Sequence, residues 1–281
     1  MPRNPVVLTL FALPATLIFL LFFLGPFIYF VVMSFWSVSL FRLSRDFTLV
    51  NYLDVYREYG YSVAFTFAIA LLIAVIATLL AFGFAYLIRF RAGRLGPTLL
   101  FVTLITMFGG YLVKIYAWRT ILGTTGILNT GLIELGIIDE PVSWLLYNPG
   151  AVVATLTHFL LPFAVLPLYG SLRGISDAQL AAARDLGARP LRMLIDIVLP
   201  QCQPGILVAF MLTFFIAAGD YVTPRLVGGT ATAMAGNFVE NQFITALNAP
   251  QSSALAVAIL AVSAGTVLLL RAVMRRTLAV R

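Results

Sequence analysis

Two carboxylates lie within or beside long apolar runs: Asp220 next to Tyr221, and Glu240 close to Asn237, Asn241 and Gln242. An ionisable group at membrane depth is a functional site by default. An acid with aromatic neighbours suits an organic cation, through charge and cation–π contact. Lys114 and Arg119 approach the end of another apolar run. They can pair with Asp220 or Glu240 as a structural lock or gate, or they can attract an anion, and both readings stand on the sequence. His158, the single histidine, precedes Pro162 in an apolar run and fits a helix–helix hydrogen bond. No second histidine lies near it, and Cys202 is the single cysteine, so no metal site is expected. His158 with Gly170-Ser171 makes a poor intramembrane serine protease, because the serine falls at the end of its run beside Arg173. The pattern G-x-x-x-x-G-K-[ST] is absent, and Gly228-Gly229-Thr230 has no lysine after it, so the chain has no phosphate cradle of its own. Catalytic residues and a resident cofactor are therefore expected to be none.

The elements that must position these groups follow from composition. Of the 281 residues 61% are hydrophobic and 10% charged. A soluble domain carries about 25% charged residues, so a water-facing surface cannot be built from this chain. Disorder fails on hydrophobicity, and a disulfide scaffold fails on the one cysteine. A polytopic all-α membrane protein remains. A span needs about 20 apolar residues. Six gaps between charges are long enough, giving spans at about 8–33, 61–88, 97–120, 150–171, 204–223 and 251–271 of a single transmembrane domain over residues 1–281. The first run is too long for a signal-peptide core, and no small-x-small cleavage site follows it, so it reads as a retained helix. Continuous rather than alternating apolarity argues against a β-barrel.

Six spans put both termini on one side. That side carries Arg3, Arg89, Arg91, Arg94, Arg173, Arg184, Arg189, Arg192, Arg271, Arg275, Arg276 and Arg281, twelve of the 18 basic residues. The positive-inside rule then makes both termini cytoplasmic. Topology accounts for the net charge of +7, and no nucleic-acid partner is expected.

The loops differ in character. The first outer loop, about 35–60, is rich in Phe, Trp and Tyr and reads as an interfacial anchor. The second, about 121–149, is first Gly-rich and then acidic, and suits a shielded re-entrant path. The inner loop 172–203 is the most informative. Ser176-Asp177-Ala178-Gln179 reads as a capping box, followed by an alanine-rich helix that includes Ala181 and Ala182 and ends at Gly187. Pro190 opens a second short helix with an apolar face of Leu191, Leu194, Ile195 and Val198 and an Arg192–Asp196 pair opposite. Pro200 is expected to end it, and Pro204-Gly205 to begin the next span. Small side chains at a glycine bend look like a docking knob for a partner.

The run Ala181-Ala182-Ala183-Arg184-Asp185-Leu186-Gly187-Ala188, then Ile197-Val198-Leu199-Pro200 and Pro204-Gly205-Ile206, resembles the EAA loop of type I ABC importer permeases. Two stretches, 111–118 and 219–224 with Gly228-Gly229 and Gly236-Asn237, are similar to the spermidine/putrescine branch, closer to its first (PotB-like) permease than to its partner. The resemblance implies a bacterial inner-membrane permease subunit with the type I fold. It implies a second homologous permease, an ATPase dimer that holds ATP and Mg, and a periplasmic solute-binding protein as partners, beside membrane lipid. It places ATPase coupling on loop 176–200, with Asp177, Ala181, Ala182, Asp185, Gly187 and Pro200. It draws Lys114, Tyr116 and Trp118 together with Asp220, Tyr221 and Glu240 as a substrate pathway. The family's glutamate falls on Ala181, so Asp177, Asp185 or the arginines are expected to hold the joint. Opines and aminoethylphosphonate are alternative substrates within the branch. An ion-gradient-driven secondary transporter is the alternative class, though no convincing repeat relates the two halves.

Overall fold

The computed structural model describes residues 5–39 and 42–277, with side chains for 12–39 and 42–276. Helix dominates, as lipid requires of a chain that must satisfy its own backbone. Helix α1 (residues 5–33) carries a π turn at Leu20–Leu24. A small antiparallel hairpin follows, β1 (Ser37–Ser39) with β2 (Arg42–Ser44). Then come α2 (Val50–Phe90), a 3-10 turn (Gly93–Leu95), α3 (Gly96–Met107), α4 (Tyr111–Leu122), α5 (Ile127–Glu134), α6 (Pro149–Arg173) and α7 (Asp177–Asp185). Helix α8 (Pro190–Ala218), a π turn (Pro224–Gly228), α9 (Ala235–Ile244) and α10 (Ala249–Thr277) complete the chain.

Five helices are long and apolar enough to cross a bilayer, and six if Gly93–Met107 and Tyr111–Glu134, which meet at 96°, form one broken span. The stretch expected as a continuous span over 97–120 is thus two helices parted at Phe108-Gly109-Gly110. Gly110 is extended (φ −53°, ψ 136°), and the Lys114 ammonium reaches back to the Thr106 carbonyl. Glycine opens the ladder there, and lysine joins the Gly109 N–H on the Thr106 carbonyl at the end of α3.

The described residues form two compact units. The first comprises residues up to 61 and 238–260. Here the aromatic segment expected as a loop over 35–60 folds into the hairpin and the first turns of α2. Asn51 donates to the carbonyls of Ser34 at 2.8 Å and Trp36 at 2.7 Å, and the hydroxyls of Ser34 and Tyr52 meet at 2.6 Å. Phe35 stacks on Phe47, and Arg45 lies over Trp36.

The second unit comprises 62–237 and 261 onward. In it α2 turns small buried side chains inward at Ala70, Ala74, Ala77, Ala81 and Ala85, and large ones outward at Leu71, Leu72, Leu79 and Leu80. Between helices in lipid, small residues permit close backbone approach, and the large ones meet acyl chains. Ile73, Ile115, Leu156, Leu160 and Phe214 form one core cluster, and Ala164, Leu168, Leu172, Val198 and Cys202 form a second. Helices α6 and α8 run through both. They pack tightly at Gly205, where a Cβ would stand 2.7 Å from the Pro167 carbonyl and against Ser171. Gly205→Val is expected to destabilise the bundle by about 1–3 kcal/mol, as overpacking does. Folded yield and thermal unfolding in detergent measure this, and a variant as stable as the parent would show that α6 and α8 are not locked there.

Candidate functional site

Two regions gather the residues with chemical potential. The first is the α6–α8 connection. Leu180 is buried and anchors α7, while Ala181 and Ala182 face outward. Ser176 occupies the N-cap position without a side-chain bond, and Gln179 instead accepts from Gln201 on α8 at 3.4 Å, so the expected capping box does not close. Asp177 is engaged by Arg89 at the end of α2, at 2.8 Å, and Arg89 also donates to the Ile175 carbonyl at 3.3 Å. The pair is partly exposed and of small energetic weight, but it fixes where α7 starts. At the other end Gly187 takes φ +77°. Its N–H bonds the Arg184 carbonyl at 2.8 Å, and the Ala188 N–H bonds the Ala183 carbonyl at 2.9 Å, a complete Schellman closure.

Beyond the bend the structure departs from expectation. Pro200 does not end a helix. The π turn Leu194–Val198 passes directly into the rest of α8, with Leu199 N–H bonded to the Leu194 carbonyl. Proline has no N–H to place and crowds the preceding turn, and the wider π turn accommodates it. The extra residue rotates the helix face by roughly 100°. Met193 and Val198 are therefore buried, whereas Leu191 and Ile195, expected on the buried face, are 67% and 50% exposed. Arg192 and Asp196 do pair, at 3.2 Å. The outward surface thus joins Ala181 and Ala182 to Leu186 (89% exposed), Leu191 and Ile195. Arg184 and Asp185 stand on it without an ion pair among the described residues.

The second region surrounds Asp220, where α8 ends. Asp220 is 8% exposed. Its Oδ1 accepts from the Tyr111 hydroxyl at 2.5 Å and from the N–H groups of Val222 at 3.0 Å and Thr223 at 3.4 Å. The carboxylate is thereby the N-cap of the short helical segment after it. Its Oδ2 is buried with no hydrogen-bond partner among the described residues. Tyr111 and Thr223 also share a hydroxyl bond at 2.9 Å. Asn237 takes the Met234 N–H and donates to the Tyr221 carbonyl at 2.6 Å, while Thr66 accepts the Ala235 N–H at 2.7 Å. Nearly every polar side chain here closes a gap in the backbone ladder.

Helix α4 faces α6 with Tyr111, Lys114 and Trp118, three residues of one stripe. Tyr111 packs on Phe159, Lys114 lies 5.2 Å from the same ring, and Trp118 Nε1 donates to His158 Nδ1 at 3.1 Å. Lys114 makes no ion pair with Asp220, and Arg119 reaches the Tyr147 hydroxyl at 3.3 Å. Tyr116 and Tyr221 are half exposed. Glu240 belongs to the first unit, on α9, whereas the other named pathway residues belong to the second. His158 and Ser171 lie thirteen residues apart on one helix, roughly 20 Å, which excludes a shared nucleophilic site.

Sequence reasoning passed over the partners of Asp220. Tyr111 and Thr223 lie in the family-like stretches 111–118 and 219–224, but only the fold brings α4 to the end of α8 and makes them partners of Asp220. It also passed over Asn129, fully buried, which donates to the carbonyls of Gly123 and Val142 and accepts the Val142 N–H at 2.7 Å, tying the second outer loop together.

This architecture, a polytopic helical bundle with an exposed helix hung between two spans, is that of a transport permease. Residues 90–278 match the family described as binding-protein-dependent transport system inner membrane component. The chain is 34% identical to the spermidine/putrescine transport system permease protein PotB of Escherichia coli, over 74% of this chain and 76% of that protein. It is 31% identical to the protein of the same name in Haemophilus influenzae, over 75% and 73% respectively. A crystal structure of a bacterial alginate ABC transporter, in complex with an alginate-bound periplasmic protein, superposes with TM-score 0.77 at 15% identity, covering 99% of this chain and 96% of that one. The chain belongs to the family of binding-protein-dependent ABC importer permeases. It is a multi-pass inner-membrane transport subunit rather than an enzyme, as the EAA-like loop implied.

Asp220→Asn keeps a cap acceptor and removes the charge, whereas Asp220→Ala removes both. The alanine variant is expected to lose about 1 kcal/mol of stability, and the asparagine variant to insert and assemble near the parent's level while moving less solute. Thermal stability and uptake measured side by side check this. Equal instability in both variants would assign the carboxylate's charge to structure alone.

Proposed function

We propose that this chain is the first of two homologous permeases in an importer for polyamines of the spermidine/putrescine class. The observation that carries the reading is the 34% identity to PotB of Escherichia coli over three-quarters of both chains. The buried carboxylate of Asp220 and the half-exposed rings of Tyr116 and Tyr221 are consistent with an organic cation as cargo. Lys114, held on the Thr106 carbonyl and against Phe159, acts as a brace at the broken span rather than as an anion receptor.

The partners are a second permease, an ATPase dimer and a periplasmic solute-binding protein. ATP and Mg reside on the ATPase. Both termini and the α7 surface face the cytoplasm, on the side that carries most of the arginines. Closure of the ATPases on ATP pushes Ala181, Ala182 and Leu186, and the Gly187 bend transmits the push to α8. Helix α8 leads without interruption to Gly219 and Asp220, so a displacement of its inner end is felt where the cargo passes.

Gly187→Val forces a β-branched residue into a left-handed conformation, at a cost of about 1–2 kcal/mol. The variant is expected to insert and to retain its partner permease, with spermidine uptake reduced about ten-fold or more. Parental uptake would sink the coupling role of the bend. Uptake by proteoliposomes holding this chain alone, driven by an ion gradient without ATP, would instead establish the secondary-transporter alternative.

A further inference from the structure

A cavity of about 430 Å³ opens where α2 and α6 end and α3 begins, bordered by Arg89, Gly93, Gly96, Pro97, Tyr169 and Arg173. The coupling and pathway readings above use none of it except Arg89. Its walls are two guanidiniums, a phenol and the first turn of α3. Pro97 has no N–H and the Gly96 N–H is held by the Gly93 carbonyl, so this helix start contributes its positive dipole alone. Gly96 sits so close to the Ile88 carbonyl, 2.9 Å from where a Cβ would be, that backbone rather than side chain forms that wall. Arg89 gives one edge to Asp177, whereas Arg173 has no ion pair among the described residues. Arg91 and Arg94 stand exposed in the adjoining loop, raising the positive potential further.

The position selects among anions. Three membrane helices end or start at this cavity, which puts it at headgroup depth. Up the same faces the side chains become apolar and exposed. Leu166 lies one turn inward of Tyr169 on α6, and Phe101 and Ile105 lie one and two turns inward of Pro97 on α3, all exposed. A soluble anion has no use for that lane, but an acyl chain fills it. Basic pockets between helices at this depth receive lipid headgroups. We infer that this cavity binds the phosphate of an anionic phospholipid, with Arg173 and Arg89 on the phosphate and the acyl chain along Leu166 and Phe101.

The test uses the full-length chain purified in mild detergent, supplied with phosphatidylglycerol or with phosphatidylcholine, and native mass spectrometry to count bound lipid. The parent is expected to retain phosphatidylglycerol in preference to phosphatidylcholine. Arg173→Gln is expected to lower that retention about five-fold, the effect of one arginine near a lipid surface. Arg173→Lys should restore most of it, and Arg275→Gln, on a different helix, should leave it unchanged. Equal retention by parent and Arg173→Gln overturns the site. So does displacement of the lipid by inorganic phosphate, which would make the cavity a receptor for free anions. Because no ATPase or polyamine is present, the result is independent of the transport reading.

Discussion

Hydrocarbon cannot hydrogen-bond, so wherever this chain leaves the helical ladder inside the membrane a side chain has to take over the backbone's work. Most of the structure depends on that constraint. At 108–110 the ladder opens on two glycines, and Lys114 takes a carbonyl of the turn before it. At the end of α8 it opens again, and Asp220 collects two N–H groups while Tyr111 and Thr223 close around it. Asn237 and Thr66 do the same for the start of α9, and Asn129 for the second outer loop. Irregular chain is tolerated at depth only against protein or water, which is where these breaks lie.

The connection between α6 and α8 has the opposite property, a held backbone with an exposed outward surface. Helix α7 is pinned at its start by Arg89 and Asp177, seated by Leu180 and closed by the Gly187 bend. None of these contacts is strong alone, since the ion pair is solvated and α7 is nine residues long. Together they hold α7 between the end of α2 and the start of α8. The π turn keeps α8 continuous through Pro200, so the exposed surface beside α7 and the Asp220 cap lie at the two ends of one helix.

The absence of the family's glutamate at Ala181 has a physical counterpart here. The end of α7 and the start of α8 present Ala181 and Ala182 with Leu186, Leu191 and Ile195, small and apolar side chains where an acid would stand. Asp177 is already engaged within the chain, and the charged groups on that surface are Arg184 and Asp185 together with Arg189, Arg192 and Asp196 beside Leu191 and Ile195.

Much was determined by the sequence alone. Uninterrupted apolar runs between charges specify membrane helices, because no other use of them survives contact with water or lipid. The glycine at 187 specifies the bend, because left-handed backbone favours a residue without a Cβ. The spacing of small residues and prolines in the inner loop carried the family. The tertiary structure decided the rest, wherever a local rule met a competing partner. Gln179 left the capping box for Gln201, and a π turn rotated Leu191 and Ile195 outward. Lys114 and Asp220, which opposite charge alone would have paired, were each claimed by backbone groups. Those claims belong to chain breaks whose positions in space only the packed helices define, and the sequence shows a charge without showing which carbonyl or N–H the fold will bring to it.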